Sequence, residues 1–223
     1  MSTPAVVAID GAAGSGKSTL ARGLARRLGI PYVNTGSMYR ALAAAALRNG
    51  VAVDDPDGLL ELVRSLSFRV VDGDPPSLEI EGYPANALVA PEVEAIVSAV
   101  SRHPGVRTAM RAAQRSLGLR GHVVMEGRDI GSVVFPDAPV KLFLTADPAV
   151  RAERRVRERA TDEASTAAAL RARDDADDRT VPLSAPAGAD VLDTGALSIE
   201  EALEEALRLV LVRAPWMPQE TAS

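Results

Sequence analysis

The sequence predicts an α/β fold in which strands and helices alternate and one hairpin interrupts the rhythm. Three observations predict it. Ala5-Val6-Val7-Ala8-Ile9 is a short apolar run of the buried-strand kind, and Leu20, Leu24 and Leu28 recur every four residues as one helix face does. Between them lies Gly11-Ala12-Ala13-Gly14-Ser15-Gly16-Lys17-Ser18-Thr19. Further along, apolar runs are again followed by helical stretches. With 223 residues, the chain suffices for a single domain over residues 1–223, with a small insertion.

The nine residues Gly11–Thr19 have the form Gly-x4-Gly-Lys-Ser/Thr, a phosphate-binding loop. Glycines let the backbone curl until successive N–H groups point at phosphate oxygens. The helix that follows adds the positive end of its dipole to the same anion. Lys17 then reaches the β- and γ-phosphates, and the Ser18 hydroxyl can sit on Mg2+. A purely structural Gly/Ala/Ser turn would explain Gly14 and Gly16 but not the lysine. The chain has 25 basic residues, and only Lys17 and Lys141 are lysines, so a compact ammonium is wanted here. A nucleoside-triphosphate site follows.

The formal charge of −5 gives no general attraction to nucleic acid or anionic membrane, so local clusters must hold any anionic ligand. No run approaches the length of a membrane-spanning helix, and the first strand begins too early to leave room for a signal peptide. The absence of cysteine excludes disulfides, Cys zinc sites and thiol catalysis, and the cytoplasm is the expected compartment.

Gly29-Ile30-Pro31 ends the first helix, and Tyr32-Val33 is a short second strand. Asn34-Thr35-Gly36-Ser37-Met38-Tyr39-Arg40 then runs into an alanine-rich helix. This turn puts Tyr39 and Arg40 at the mouth of the sheet, where open α/β sheets bind ligands; an ordinary helix start with Thr35 as cap is the alternative. A weak helix over Gly58 to Arg64 precedes residues 67–82, where Phe68/Val70 and Leu78/Ile80 alternate around a Pro-Gly-rich turn. That pattern predicts an antiparallel hairpin outside the buried parallel sheet. Helices over roughly 91–101 and 104–118 follow. In the second, Arg107, Arg111 and Arg115 share one face, which reads as solvated apart from one or two residues turned into a cleft.

His122–Met125 is a strand ending in Glu126-Gly127-Arg128-Asp129-Ile130-Gly131, a charged corner where catalytic groups belong, with a plain polar turn as the alternative. Val140–Leu144 is the next strand, and Asp147-Pro148 opens an arginine-rich helix over 148–160. Residues 161–181 are charged and poor in apolar side chains, as lids are, although a solvated helix end reads the same way. A strand at Ala189–Leu192 and a Ser198–Glu201 capping box lead into the last amphipathic helix, and residues 213–223 form a loose tail.

Four pieces together resemble the bacterial cytidylate kinases, P-loop nucleoside monophosphate kinases that phosphorylate CMP and dCMP. They are Gly11–Thr19, the Thr35-Gly36…Tyr39-Arg40 turn, Glu126–Gly131 running into Val134-Phe135-Pro136-Asp137-Ala138, and Arg173-Asp174-Asp175. The resemblance implies a P-loop kinase fold: a five-stranded parallel sheet flanked by helices, a monophosphate-binding insertion at about 65–100 and a helical lid at about 161–181. It implies ATP as phosphoryl donor with Mg2+, and a monomer whose partners are CMP and dCMP rather than nucleic acid or membrane.

It also implies roles. Gly11, Ala12, Ala13, Gly14, Ser15, Gly16, Lys17, Ser18 and Thr19 would hold ATP, with Ser18 on the metal. Thr35, Tyr39, Arg40 and Arg128 would hold the acceptor phosphate, and Ser98, Arg107 and Asp129 would read the cytosine. Arg173 and Asp177 would close from the lid, and the family's second lid arginine either falls on Arg179, shifted, or is lost to Thr180. Lys17, Arg128, Arg173 and Arg179 would be catalytic. Asn34 stands where the family usually has Asp.

Cytosine shows an amino donor beside a ring-nitrogen acceptor, and uracil shows the reverse polarity at both atoms. Asp129 with Ser98 as acceptors and Arg107 as donor therefore match the first and mismatch the second. A P-loop kinase for another small acceptor is the runner-up, and the base-reading set argues against it. A GTPase switch would need an Asn-Lys-x-Asp motif and an ABC-type ATPase a Leu-Ser-Gly-Gly signature; the sequence has neither.

Overall fold

The computed structural model describes residues 5–159 and 184–217. Strand β1 (Val6–Gly11) is buried along its whole length and leads through the glycine loop into helix α1 (Lys17–Leu28). Next come β2 (Tyr32–Asn34), α2 (Thr35–Asn49) and α3 (Pro56–Ser65), followed by the hairpin β3 (Phe68–Val71) and β4 (Ser77–Ile80). Helices α4 (Pro91–Ser101) and α5 (Pro104–Gly118) each begin with a proline at the first position, which needs no N–H partner. Strand β5 (Val123–Gly127) ends in a π-helical turn, Ile130–Val134, and is followed by β6 (Val140–Thr145) and α6 (Pro148–Arg159). Strand β7 (Asp190–Asp193) and helix α7 (Ile199–Arg213) close the chain.

The strands form one sheet in the order β3-β4-β2-β5-β1-β6-β7. Its five strands from β2 to β7 are parallel, as expected, with β1 at the centre between β5 and β6. The sheet nonetheless has seven strands rather than five. The hairpin is antiparallel within itself, yet β4 joins β2 in parallel through Tyr32 and Ser77, and the Tyr32 N–H donates to Pro76 O at 2.8 Å. The edge of β2 would otherwise present unpaired backbone groups, and the hairpin covers it.

Two apolar layers enclose the sheet. On one face Leu20, Leu24 and Leu28 of α1 meet Leu203, Ala206 and Val210 of α7 over Val7, Ile9 and Leu142. On the other, Met38 and Leu42 of α2, Leu59 of α3, Val97 of α4 and Met110 of α5 cover Ala8, Val33 and Met125. Ser198 accepts from Glu201 N while Glu201 reaches back to Ser198 N, so the expected capping box is formed. The tail is not loose at its start: Ala214 and Met217 are buried in the first layer. The expected lid at about 161–181, with Arg173, Asp177 and Arg179, lies outside the described residues.

Leu24 is wholly buried between the sheet and α7. Leu24→Ala should lower the unfolding free energy by about 2–5 kcal/mol, read from the urea midpoint.

Candidate functional site

The carboxyl ends of β1, β2 and β5 open into one cleft. Its lining includes Gly14, Lys17 and Ser18 on one side and Thr35, Tyr39, Arg40, Ser98, Arg107, Arg128 and Asp129 on the other. The sequence places these residues on five separate elements, and the fold brings them together.

On the first side, Gly14 (φ +75°) and Gly16 (φ +84°) take left-handed backbone that side chains disfavour. A Cβ on Gly14 would lie 2.9 Å from Arg151 O, so the loop packs directly on α6. Gly16 caps α1 without a side-chain bond, which leaves the helix N-terminus to a ligand. Lys17 Nζ donates to Ala12 O at 2.6 Å, curling over the loop it serves. Arginines of α6, to which the sequence gives no role, brace this loop from outside: Arg151 donates to Ala13 O at 3.1 Å. Arg154 holds Thr194 through both its carbonyl and its hydroxyl, and the Thr194 hydroxyl donates to Ser15 O at 2.9 Å.

Opposite the loop, Asn34 is the N-cap of α2, its Oδ1 accepting from Ser37 N at 3.1 Å. Thr35 is therefore not the cap. It is the first helical residue, and its hydroxyl donates to Glu126 O at 2.8 Å, tying α2 to the end of β5. Glu126 is buried and accepts from the Tyr32 hydroxyl. Burial first, and the neighbouring Glu126 charge second, push the Tyr32 phenol pKa far up, so Tyr32 remains a proton donor. Arg40 is paired with Glu94 of α4 at 2.7 Å. Their side chains are only 14% and 11% exposed, so this ion pair is shielded from water.

Asp129 Oδ2 accepts from Arg107 at 2.7 Å and from Arg111 at 2.8 Å. Arg115, next along the helix, donates to Val133 O and Val134 O. The expectation of a largely solvated arginine face on α5 is thus wrong: all three arginines bind the corner after β5. A solvated face and a binding face have the same i, i+4 spacing, and only the packing of α5 against the turn after β5 distinguishes them.

Below the cleft floor, Asp10 of β1 accepts from Ile130 N at 2.8 Å and Gly131 N at 2.7 Å. Burial pushes its carboxyl from 3.8 up to about 6, with the Asp129 charge adding to the rise; the two backbone N–H groups and Lys17 oppose it. Sequence reasoning passed over Asp10, Glu94, Glu126 as a ligand, and Ser101, which lines the cleft one turn beyond Ser98. An acid inside the apolar strand Val6–Gly11 was the available signal for Asp10. Glu94 carried none.

The cleft thus offers Lys17, Arg40, Arg107, Arg128 and a helix N-terminus to anionic groups, with oxygen donors Ser18 and Glu126 beside them. It can hold two phosphorylated ligands facing each other and neutralise the charge between them.

Comparison with known proteins bears on what those ligands are. Residues 7–211 match the family model described as cytidylate kinase. A cytidylate kinase of Solibacter usitatus is 44% identical over 218 residues, covering 93% of both chains. Another, of Roseiflexus castenholzii, is 48% identical over 168 residues, covering 71% of both. Among solved structures, a gluconokinase from Sinorhizobium meliloti matches with a TM-score of 0.54 and 18% identity over 97% of both chains, a likeness of fold.

Asp10 is costly to ionise where it sits, so its contribution to stability falls as pH rises from about 4 to about 6 and is level above. Asp10→Asn should remove this step, which is on the order of 2–3 kcal/mol from a shift of about two units. Urea midpoints of both proteins at pH 4.5 and 7.5 test it, and equal pH dependence would refute it.

Proposed function

We propose that this chain, which belongs to the cytidylate kinase family, transfers the γ-phosphoryl group of ATP to CMP or dCMP, giving ADP and CDP or dCDP. One observation carries the site assignment: the phosphate loop and the Thr35–Arg40, Arg128 and Asp129 groups line the same cleft. The donor loop thereby faces a second, cationic half that a simple ATPase would not need.

The transfer is a direct in-line displacement. At neutral pH the acceptor phosphate is already an anion, so no strong general base is needed. The difficulty lies in bringing two anions together, and cations placed in advance answer it. The loop N–H groups and Lys17 take the donor phosphates, while Arg40, Arg128 and Thr35 take the acceptor phosphate, with Tyr39 beside it. Arg40 arrives already paired with Glu94, so a phosphate shares or displaces that partner rather than meeting an arginine that must be dehydrated afresh.

Mg2+ prefers oxygen ligands, and the Ser18 hydroxyl and the Glu126 carboxylate, which line the same cleft, are a fitting pair to hold it. When bound, the metal neutralises developing charge on the phosphates. Asn34 is neutral and occupied as a helix cap, so the acid on this side is Glu126. Ser98, Arg107 and Asp129 face the base. The roles expected of Arg173, Asp177 and Arg179 fall outside the described residues, and residues 65–100 are read as the monophosphate-binding insertion of a single domain. The reading extends to a monomer in the cytoplasm; a chain without cysteine needs no oxidising compartment.

A coupled assay of ADP release with CMP, dCMP, UMP, AMP and shikimate as acceptors tests the assignment. Turnover should be greatest with a cytidine monophosphate, and UMP should be poorer by a factor on the order of 10³ from two mismatched polar contacts. Greatest turnover with any other acceptor would defeat the reading. Lys17→Ala should cut kcat by roughly 10²–10³-fold or more while the KM for CMP changes far less. A variant with near-normal kcat would remove Lys17 from the phosphoryl clamp.

A further inference from the structure

We propose that Arg111 is a positioning residue for base recognition: it holds the Asp129 carboxylate paired and aimed from behind while Arg107 turns to the base. The proposal rests on the reading that Asp129 and Arg107 face the cytosine.

Asp129 is buried, its side chain 8% exposed, and its Oδ2 takes both guanidinium groups. The two arginines are not equivalent. Arg107 lines the cleft and lies over the Tyr39 ring, 5.9 Å from its centre, where a ligand can reach it. Arg111 sits one helical turn further along α5 and reaches Asp129 without lining the cleft. If Arg107 alone neutralised Asp129, any shift of Arg107 toward a base would leave a buried carboxylate without a counter-charge, a strongly unfavourable state. With Arg111 present, the carboxylate keeps a charge-assisted hydrogen bond throughout.

Two further features fit a device that adjusts on binding. Arg111 Nε is buried and has no hydrogen-bond partner among the described residues, and neither has Gln114 Oε1, three residues along the same helix. Among the described residues Arg111 is therefore fastened through its Nη2, and it can follow Asp129 by small movements, with donor and acceptor capacity in reserve. Asp10 lies on the β1 side with like charge, and Tyr39 on the α2 side is held neutral by burial.

The test compares Arg111→Leu, Arg111→Lys and Asp129→Ala with the unaltered enzyme, measuring KM and kcat for CMP, UMP and ATP together with the thermal midpoint. Arg111→Leu should raise the KM for CMP and lower the CMP:UMP preference, each by roughly tenfold, with the KM for ATP unchanged. Arg111→Lys, which keeps the charge but not the fork, should recover part of both. A lowered midpoint with unchanged KM for CMP and unchanged CMP:UMP preference would overturn the proposal, leaving Arg111 a tie between α5 and β5. Should Arg111→Leu not fold, the same two readouts in Arg111→Lys decide it, an unchanged preference overturning the proposal. Asp129→Ala separates the two levels: if it keeps the full preference for CMP, the base-reading assignment itself falls.

Discussion

The Asp10 carboxylate, bound to the N–H groups of Ile130 and Gly131, is the contact on which the rest of the site depends. Asp10 is the penultimate residue of β1, so its backbone leads directly into the phosphate loop. Ile130 and Gly131 directly follow Asp129, so their backbone fixes the corner that carries Arg128 and Asp129. Parallel pairing of β1 with β5 aligns the two strands only as far as Asp10 and Gly127. Beyond the last ladder bond the two loops would be free to diverge, and the buried carboxylate bridges them. Burial makes its acid costly to ionise there.

From this junction outward, the site keeps its cations paired. Arg40 has Glu94, Arg107 and Arg111 share Asp129, and Lys17 has the Ala12 carbonyl. In a chain of net charge −5 an array of bare guanidiniums in a half-buried cleft would be unfavourable to build. Internal partners hold these side chains in place, as the proposed exchange with anionic ligands would need. Part of the cost of desolvating these charges is thus met on folding rather than on binding, which is the physical content of preorganisation.

The donor half was legible in the sequence because its mechanism is local. The strand Val6–Gly11, the left-handed glycines and Lys17 at the helix start lie within a dozen residues, and their order implies their geometry. That Thr35, Ser98, Arg107 and Asp129 line one cleft was legible only through a resemblance to a known family, because they meet across four elements. Asp10, Glu94 and Arg111 were missed for a common reason. Their roles depend on register between β1 and β5 and on how α4 and α5 settle over the sheet, and no single segment encodes that. The hairpin Phe68–Ile80 was recognised by its alternation, whereas its attachment to β2 depends on one strand edge needing cover.

The division between lysine and arginine follows from the same geometry. A bias toward arginine explains why α5 has many of them, but not why Arg107, Arg111 and Arg115 all reach the corner after β5. A guanidinium carries several donors in a fixed plane, so two can converge on one carboxylate oxygen and each still keep donors for another partner. An ammonium satisfies its neighbours as a point charge and would have to choose between them. On the donor side the requirement is reversed. The loop backbone already supplies directional N–H groups, and the remaining need is a single small charge that fits against the Ala12 carbonyl and swings to phosphate. Lys17 fits that space, while the corner after β5, where two side chains converge on the Asp129 carboxylate, calls for arginine.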